Sequence, residues 1–199
     1  MAGAFPISTA QFQSLGIKSI QNTIISKSVS GKKLARQIDG QRWGFTARII
    51  TAKRSDVYGQ LMAFIIKQRS GKENFTIVPP EVEDARGTAS GTPTGTASAG
   101  DTSITLGGTG TGTLKAGDFI KFANHDKVYM VVADQSDIST GTLTIEPPLT
   151  TAVSSSDIQY DDVPFTVYLT NDIQEFGVVG AGQDGTLLYQ FEFDVEEAL

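Results

Sequence analysis

The stretch ARGTASGTPTGTASAGDTSITLGGTGTGTL, residues 85–114, decides how this chain is organised, because it consists almost entirely of Gly, Thr, Ser and Ala. Such a composition is typical of flexible linkers. Within it, however, TSITL at 102–106 has the β-branched residues of a strand. We therefore predict a flexible hinge over residues 85–100, followed by a strand and a Gly-rich turn over residues 101–114 that enter a small barrel.

The segments after this stretch have the layout of a small antiparallel β-unit. GDFIKF (117–122), KVYMVVAD (127–134) and GTLTIEPPL (141–149) are short apolar runs separated by turn residues. Short strands at nearly regular spacing are typical of small barrels and sandwiches. We predict that residues 87–163 form an inserted antiparallel β-barrel domain that includes the Gly/Thr/Ser-rich hinge.

The flanking regions predict a second β-unit with one helix. QRWGFTARIIT (41–51) and GTLLYQFEFDVEEA (185–198) alternate apolar and polar residues, as half-buried strands do. SDVYGQLMAFIIKQRSGK (55–72) changes to helical period, with Ser55 as a candidate N-cap and Gly71 as a candidate C-cap.

Further strands are expected at 23–30, 74–80 and 163–172, with turns at 30–33 and at Asp39-Gly40. The predicted fold class is mainly β. Residues 1–86 and 164–199 are expected to form a β-sandwich ring domain with one helix, which carries the barrel as an insertion.

Charge is distributed unevenly along the chain. The formal net charge is −6, but residues 1–80 carry twelve Lys and Arg against three Asp and Glu, a net charge of +9, and residues 81–199 carry −15. Such asymmetry raises the question of nucleic-acid binding. The basic residues do not form one tract, so two oppositely charged regions that face each other, within a chain or between subunits, explain the pattern better.

No constellation of residues indicates catalysis or a cofactor. The chain has no Cys and a single His, so thiolate chemistry is excluded and a metal site would have to use His125 with Asp126 and Asp118. Asn124, His125 and Asp126 are more typical of a turn. GGTGTGTLKAG lacks the P-loop spacing, and no GxSxG motif is present. We predict no enzyme activity, no cofactor and no metal. No apolar run approaches the length of a membrane span, and the first residues do not read as a signal peptide.

Several segments together resemble a known family. SGKKLARQIDGQRWGFTARI, the amphipathic helix, FTIVPP and the terminal YQFEFDVEEAL resemble tail proteins of long-tailed bacteriophages, in the family of the distal tail protein and the baseplate hub or tail-tube initiator. LKAGDFIKFANHDKVYMVVAD and GTLTIEPPL resemble a β-barrel insertion found in such proteins. Longer relatives carry a galectin-like domain after the ring domain, whereas here the extra domain is expected to be an insertion.

The resemblance implies a structural virion protein rather than an enzyme. It would form a homo-oligomeric ring, commonly of six subunits, at the distal end of the tail tube or baseplate, and would connect the tube to tip or baseplate proteins. Viral DNA would pass through the lumen without specific binding, and assembly would take place in the host cytoplasm. Two alternatives remain open: a tail module that binds carbohydrate or a cell-surface ligand through the barrel, and a nucleic-acid-binding protein that uses the basic first part.

One pair of surfaces is expected to join neighbouring subunits or adjacent tail rings. Basic residues flank a predicted hairpin, and acidic residues alternate along the exposed face of the last strand. The basic set is Lys32, Lys33, Arg36 and Arg42, and the acidic set is Glu192, Asp194 and Glu196.

Overall fold

The structure, a computed structural model, describes residues 3–8, 11–38, 40–80 and 82–199. Within these ranges the protein is mainly β, as predicted. The helical elements are a π-helical turn (Arg54–Tyr58), the helix α1 (Gly59–Lys67) and a 3₁₀ turn (Ser70–Lys72). The strands are β1 (Phe12–Ile20), β2 (Thr23–Lys27), β3 (Lys33–Gln37), β4 (Arg42–Lys53), β5 (Phe75–Ile77), β6 (Pro93–Ala97), β7 (Ser103–Gly108), β8 (Phe119–Phe122), β9 (Val128–Val131), β10 (Thr142–Glu146), β11 (Val153–Gln159), β12 (Phe165–Leu169), β13 (Phe176–Ala181) and β14 (Leu187–Glu197).

The central sheet is built around two long strands, β4 and β14. Its antiparallel strands lie in the order β1-β4-β14-β12-β5, and β13 pairs with the first half of β14. The register sets Phe193 opposite Ala47 and Val195 opposite Phe45, and all four side chains are buried. Because successive side chains of a strand point to opposite faces, the alternation in the sequence fixes which face forms the core.

The helix α1 covers this buried face. Leu61 and Ile65 lie one turn apart, are buried, and belong to the same core as the sheet side chains. Phe64 packs edge-on against Phe75 of β5, with ring centroids 5.3 Å apart. The predicted position of the helix is therefore confirmed by the side chains that it buries.

The predicted helix caps are wrong. Ser55 lies inside the π-helical turn, and its hydroxyl donates to the neighbouring Asp56 carboxylate at 2.9 Å instead of capping a backbone amide. The chain leaves the helix through Arg69, whose φ is 54°. Gly71 serves a close approach to β12, because a Cβ at this position would lie 2.7 Å from the Leu169 carbonyl oxygen.

The second unit is a closed antiparallel barrel with the strand order β10-β7-β6-β11-β8-β9. Its interior is filled by side chains, as in other barrels of this size. The largest fully buried ones are Phe122 and Tyr129, which contact each other with ring centroids 5.8 Å apart. The predicted inserted barrel is therefore present as a structural unit, and the exact domain boundaries remain a prediction.

The prediction of a hinge over residues 85–100 is wrong for its second half. Residues 93–97 form β6, which pairs with β7 and β11 and closes the barrel. Gly95 shows why this strand is built from small residues: a Cβ there would lie 2.7 Å from Phe122 Cε1 and 2.9 Å from Ile104 Cγ2. The Gly- and Thr-rich composition therefore reflects close packing over the barrel core.

Three further strands fall in segments where the sequence suggested no strand: β1, β11 and β13. β13 covers part of a segment interpreted as turns. β3 is also new, and it pairs with β2, so that the predicted strand at 23–30 belongs to a separate two-stranded hairpin with its turn at residues 28–32. Asp39, assigned to a turn from the sequence, lies outside the described residues.

The hairpin and the barrel leave the central sheet at the same end. The chain enters the hairpin from Ile20 and returns at Arg42, two residues that are paired in the sheet. It enters the barrel after Ile77 and returns at Phe165, which are also paired. Because antiparallel pairing alternates strand direction, these two pairs lie at one end of the sheet and on opposite sides of the strand order.

A buried polar network joins the barrel to this end of the sheet. The Lys127 ammonium of the barrel contacts Glu197 Oε2 at 2.5 Å, and their side chains are 2% and 0% exposed. Glu197 also accepts hydrogen bonds from the backbone amides of Trp43 and Val128, at 3.1 and 2.9 Å. Lys127 donates a second bond to Gln41 at 2.9 Å.

Apolar contacts surround the network. The Trp43 indole donates to the Val128 carbonyl at 2.9 Å and packs edge-on against Phe119 of the barrel, with ring centroids 5.0 Å apart. Burial lowers the pKa of Lys127, and the Glu197 carboxylate opposes this shift. Sheet and barrel therefore share one buried joint that contains a charge pair.

We expect Gly95→Ala to destabilise the barrel by about 1–3 kcal/mol, because the added methyl group overpacks the core. The measurement is urea unfolding followed by circular dichroism. Gly180→Ala is the matched control, since a Cβ at Gly180 meets no atom within 4 Å. Equal unfolding midpoints for the two variants would contradict close packing at β6.

We expect Lys127→Met to destabilise the protein by about 3–5 kcal/mol, because it leaves the Glu197 carboxylate buried without a counter-charge. The double variant Lys127→Met/Glu197→Gln removes that charge and should regain part of the loss. Trp43, the only tryptophan, reports unfolding at the joint by fluorescence. Lys115→Met is the control, since it breaks the exposed Lys115–Asp134 pair and should cost at most about 1 kcal/mol. If the free energy of unfolding lost by the double variant equals the sum of the losses of the Lys127→Met and Glu197→Gln single variants, the two charges are not coupled.

Candidate assembly surfaces

The first candidate surface is the β2–β3 hairpin, residues 23–37, here called the basic hairpin. Every residue of its two strands is exposed. It contains four basic residues and no carboxylate. Lys27 and Lys33 lie directly opposite each other in the register. Like charges in this position destabilise a strand pair.

None of these basic side chains has a partner in the part of the chain that the structure describes. The ion pairs between described residues use other cations, namely Lys18, Arg42, Lys53, Arg86, Lys115, Lys121 and Lys127. The basic hairpin therefore presents its positive charge to the surroundings.

Large apolar side chains of the basic hairpin are exposed as well. Ile24, Ile25 and Leu34 are each more than half exposed, and Val29 at the turn is fully exposed. A two-stranded hairpin without a covering layer is marginally stable in water at best. The apolar and basic surface of the hairpin is therefore suited to a contact with another protein surface.

The acidic face predicted on the last strand is largely neutralised within its own chain. Asp194 accepts hydrogen bonds from the Thr46 hydroxyl at 2.5 Å and the Lys18 ammonium at 3.2 Å. Both contacts lower the pKa of Asp194, and the hydrogen bond from Thr46 has the larger effect. Glu196 forms an ion pair with Arg42 at 2.9 Å.

The structure thus brings Arg42 and Glu196 together inside one subunit. Lys32, Lys33 and Arg36 lie on the basic hairpin, away from that pair. Glu192 is exposed on β14, in register with Arg48. A contact between these residues of neighbouring subunits, as expected from the sequence, stays a prediction.

The second candidate surface was not recognised in the sequence. We call it the acidic groove. It is a cavity of about 440 Å³ between β5, the first described residues of the chain, and the two segments that connect the sheet to the barrel. Its apolar lining includes Phe5, Ile7, Ile77 and Val78, and its acidic lining is Glu83, Asp84 and Asp162. The carboxylates come from distant parts of the sequence, and only the crossing of the two connecting segments joins them.

The carboxylates of the acidic groove repel one another. Burial and the neighbouring Asp84 and Asp162 raise the pKa of Glu83. Asp161, at the same crossing, has a raised pKa from burial and the same two neighbours, although the Ala85 backbone amide opposes the shift. No Lys or Arg in the described ranges forms an ion pair with any of them.

His125, the candidate metal ligand, has a structural environment. Its Nε2 is hydrogen-bonded to the Tyr129 hydroxyl at 2.8 Å, and its Nδ1 to the Asn124 side-chain oxygen at 2.7 Å. Burial and then Lys121 lower the pKa of His125, and Asp126 opposes them. The described residues contain no cluster of three or more side chains suited to a metal ion. Among them there is also no helix of sufficient length and apolarity to cross a membrane.

Strands β1 and β13 of the central sheet have one pairing partner each among the described strands. β1 pairs with β4, and β13 pairs with β14. Val178 and Val179 on β13 are each about half exposed. Unpaired edges expose backbone donors and acceptors that can pair with another chain.

Comparison with protein families identifies the barrel. Residues 82–161 match the family model described as "Distal tail protein pb9, B domain". This range contains the six strands β6 to β11 and parts of both segments that connect them to the sheet. No curated protein matches the chain. The match supports a structural role in a phage tail. Residues 82–161 are therefore similar to the B domain of a phage distal tail protein.

Proposed function

We propose that the protein forms a ring at the distal end of the phage tail tube and connects the tube to tip or baseplate proteins. The observation that carries the proposal is the incomplete packing of the subunit. Among the described residues, β1 and β13 each lack a second partner strand and the basic hairpin is uncovered, while the barrel matches a domain model of a distal tail protein. A ring of identical subunits pairs such surfaces without leaving any of them at a free end.

In this proposal the ring domain consists of residues 1–86 and 164–199, with residues 87–163 inserted. Its support is that the barrel enters and leaves the sheet between two paired residues, Ile77 and Phe165. The ring has six subunits, contacts the tail tube protein and other baseplate proteins, and lets DNA pass through its lumen without specific binding. It is assembled in the host cytoplasm and becomes part of the virion.

The barrel acts as a structural part in this proposal rather than as a carbohydrate-binding module. Its aromatic side chains Phe119, Phe122 and Tyr129 are buried. Recognition of a sugar through aromatic stacking would need exposed rings. A non-enzymatic role agrees with the environment of His125, whose ring nitrogens both face polar neighbours in the fold.

We expect the purified full chain to form closed particles of one size. Sedimentation velocity should give one discrete oligomer above a threshold concentration, and negative-stain images should show rings with a central opening. A protein that stays monomeric up to high micromolar concentration, or that forms open fibres, would contradict the proposal, because heterologous contacts that do not close give filaments.

A further inference from the structure

Ring formation alone does not explain why the basic hairpin exposes all of its strand residues. It projects from the sheet between Ile20 and Arg42 and buries none of its strand residues in its own subunit. One face presents Ile25 with Lys27 and Lys33, and the other presents Ile24 with Leu34 and Arg36, since residues opposite each other in the register share a face.

The paired lysines indicate what kind of surface covers the basic hairpin. Lys27 and Lys33 are held side by side by the strand register, so carboxylates from outside the hairpin would relieve their repulsion. The exposed Ile24, Ile25 and Leu34 additionally require an apolar surface. The partner surface should therefore combine an apolar floor with several unpaired carboxylates.

The acidic groove has both properties. Phe5, Ile7 and Ile77 form part of an apolar lining beside Glu83 and Asp84. Burial, and then the nearby Asp84 and Asp162, raise the pKa of Glu83, and no Lys or Arg of the described residues forms an ion pair with these carboxylates. Charge and apolar character thus complement each other between the two surfaces.

The topology places the two surfaces where a ring needs them. Both lie at the end of the sheet where Ile20 pairs with Arg42 and Ile77 pairs with Phe165. The hairpin leaves at the β1–β4 side of the strand order, and the groove lies at β5 on the other side. A head-to-tail contact between opposite sides of identical subunits can close into a ring.

We propose that the basic hairpin of one copy of this chain binds the acidic groove of the next copy. The proposal rests on the self-assembly proposed above and names the surfaces that join the subunits. In this contact the basic residues of the hairpin face Glu83, Asp84 and Asp162. They do not face the acidic side of β14, because Asp194 and Glu196 have partners in their own subunit.

The test uses two full-length charge-reversed variants. The hairpin variant is Lys27→Glu/Lys33→Glu, and the groove variant is Glu83→Lys/Asp84→Lys. When the hairpin variant is alone, every contact would join two acidic surfaces. When the groove variant is alone, every contact would join two basic surfaces. We expect the apparent association constant of each to fall by at least about tenfold in sedimentation velocity at low ionic strength, where such contacts are least screened.

Mixing the two variants is the decisive step. The acidic hairpin of the first then fits the basic groove of the second, and the unchanged surfaces of the two still fit each other. We expect a one-to-one mixture to assemble again into particles in which the variants alternate. Circular dichroism spectra of each variant check that the subunits are folded.

Two control variants carry the same number of reversals elsewhere. Lys67→Glu/Lys72→Glu changes exposed bases on and after α1, and Glu146→Lys/Glu175→Lys changes exposed carboxylates on β10 and just before β13. Both should assemble like the wild type. If the hairpin and groove variants assemble normally while the wild type forms rings, or if the mixture does not regain assembly, the hairpin–groove contact is wrong and the ring remains. A monomeric wild type would instead overturn the proposed function.

Discussion

The buried ion pair between Lys127 and Glu197 is the contact on which the arrangement of the molecule depends. Two charges out of water are tolerated only when geometry and further hydrogen bonds compensate their lost hydration. Here Glu197 accepts two backbone amides, one from β4 and one from β9, in addition to Lys127. The carboxylate therefore fixes the barrel against the sheet, because any rotation between the two units would break its bonds to Lys127 and to the Val128 amide together.

The acidic groove depends on the same joint. Its carboxylates lie on the two segments that cross where the barrel meets the sheet, and the Val163 amide donates to the Glu83 carbonyl at 3.2 Å to hold the crossing. This hydrogen bond keeps Glu83 close to Asp162 at the crossing. A rigid joint keeps their repulsion in place, so that the groove retains unneutralised negative charge. Stability within the subunit and readiness for assembly thus have one structural origin.

The charged residues behind the uneven charge of the chain fall into two groups in the fold. Part of the charge cancels inside the subunit: Arg42 pairs with Glu196, and Lys18 pairs with Asp194, which joins the basic first part to the acidic last strand. The remainder stays exposed, positive on the basic hairpin and negative in the acidic groove. Charge counts along the sequence reveal the asymmetry but cannot separate these two fractions, because the division depends on which strands become neighbours.

The sequence by itself determined the mainly β class, the position of α1 and the buried faces of β4 and β14, because the periods of 2 and 3.6 residues are local properties of the chain. It did not determine β6, since a Gly- and Thr-rich segment looks like a linker until Phe122 and Ile104 are seen to leave room for nothing larger than Gly95. The tertiary structure alone decided the acidic groove and the Lys127–Glu197 joint. Both bring together residues separated by about seventy or more positions, and strand order, rather than any local pattern, creates such proximity.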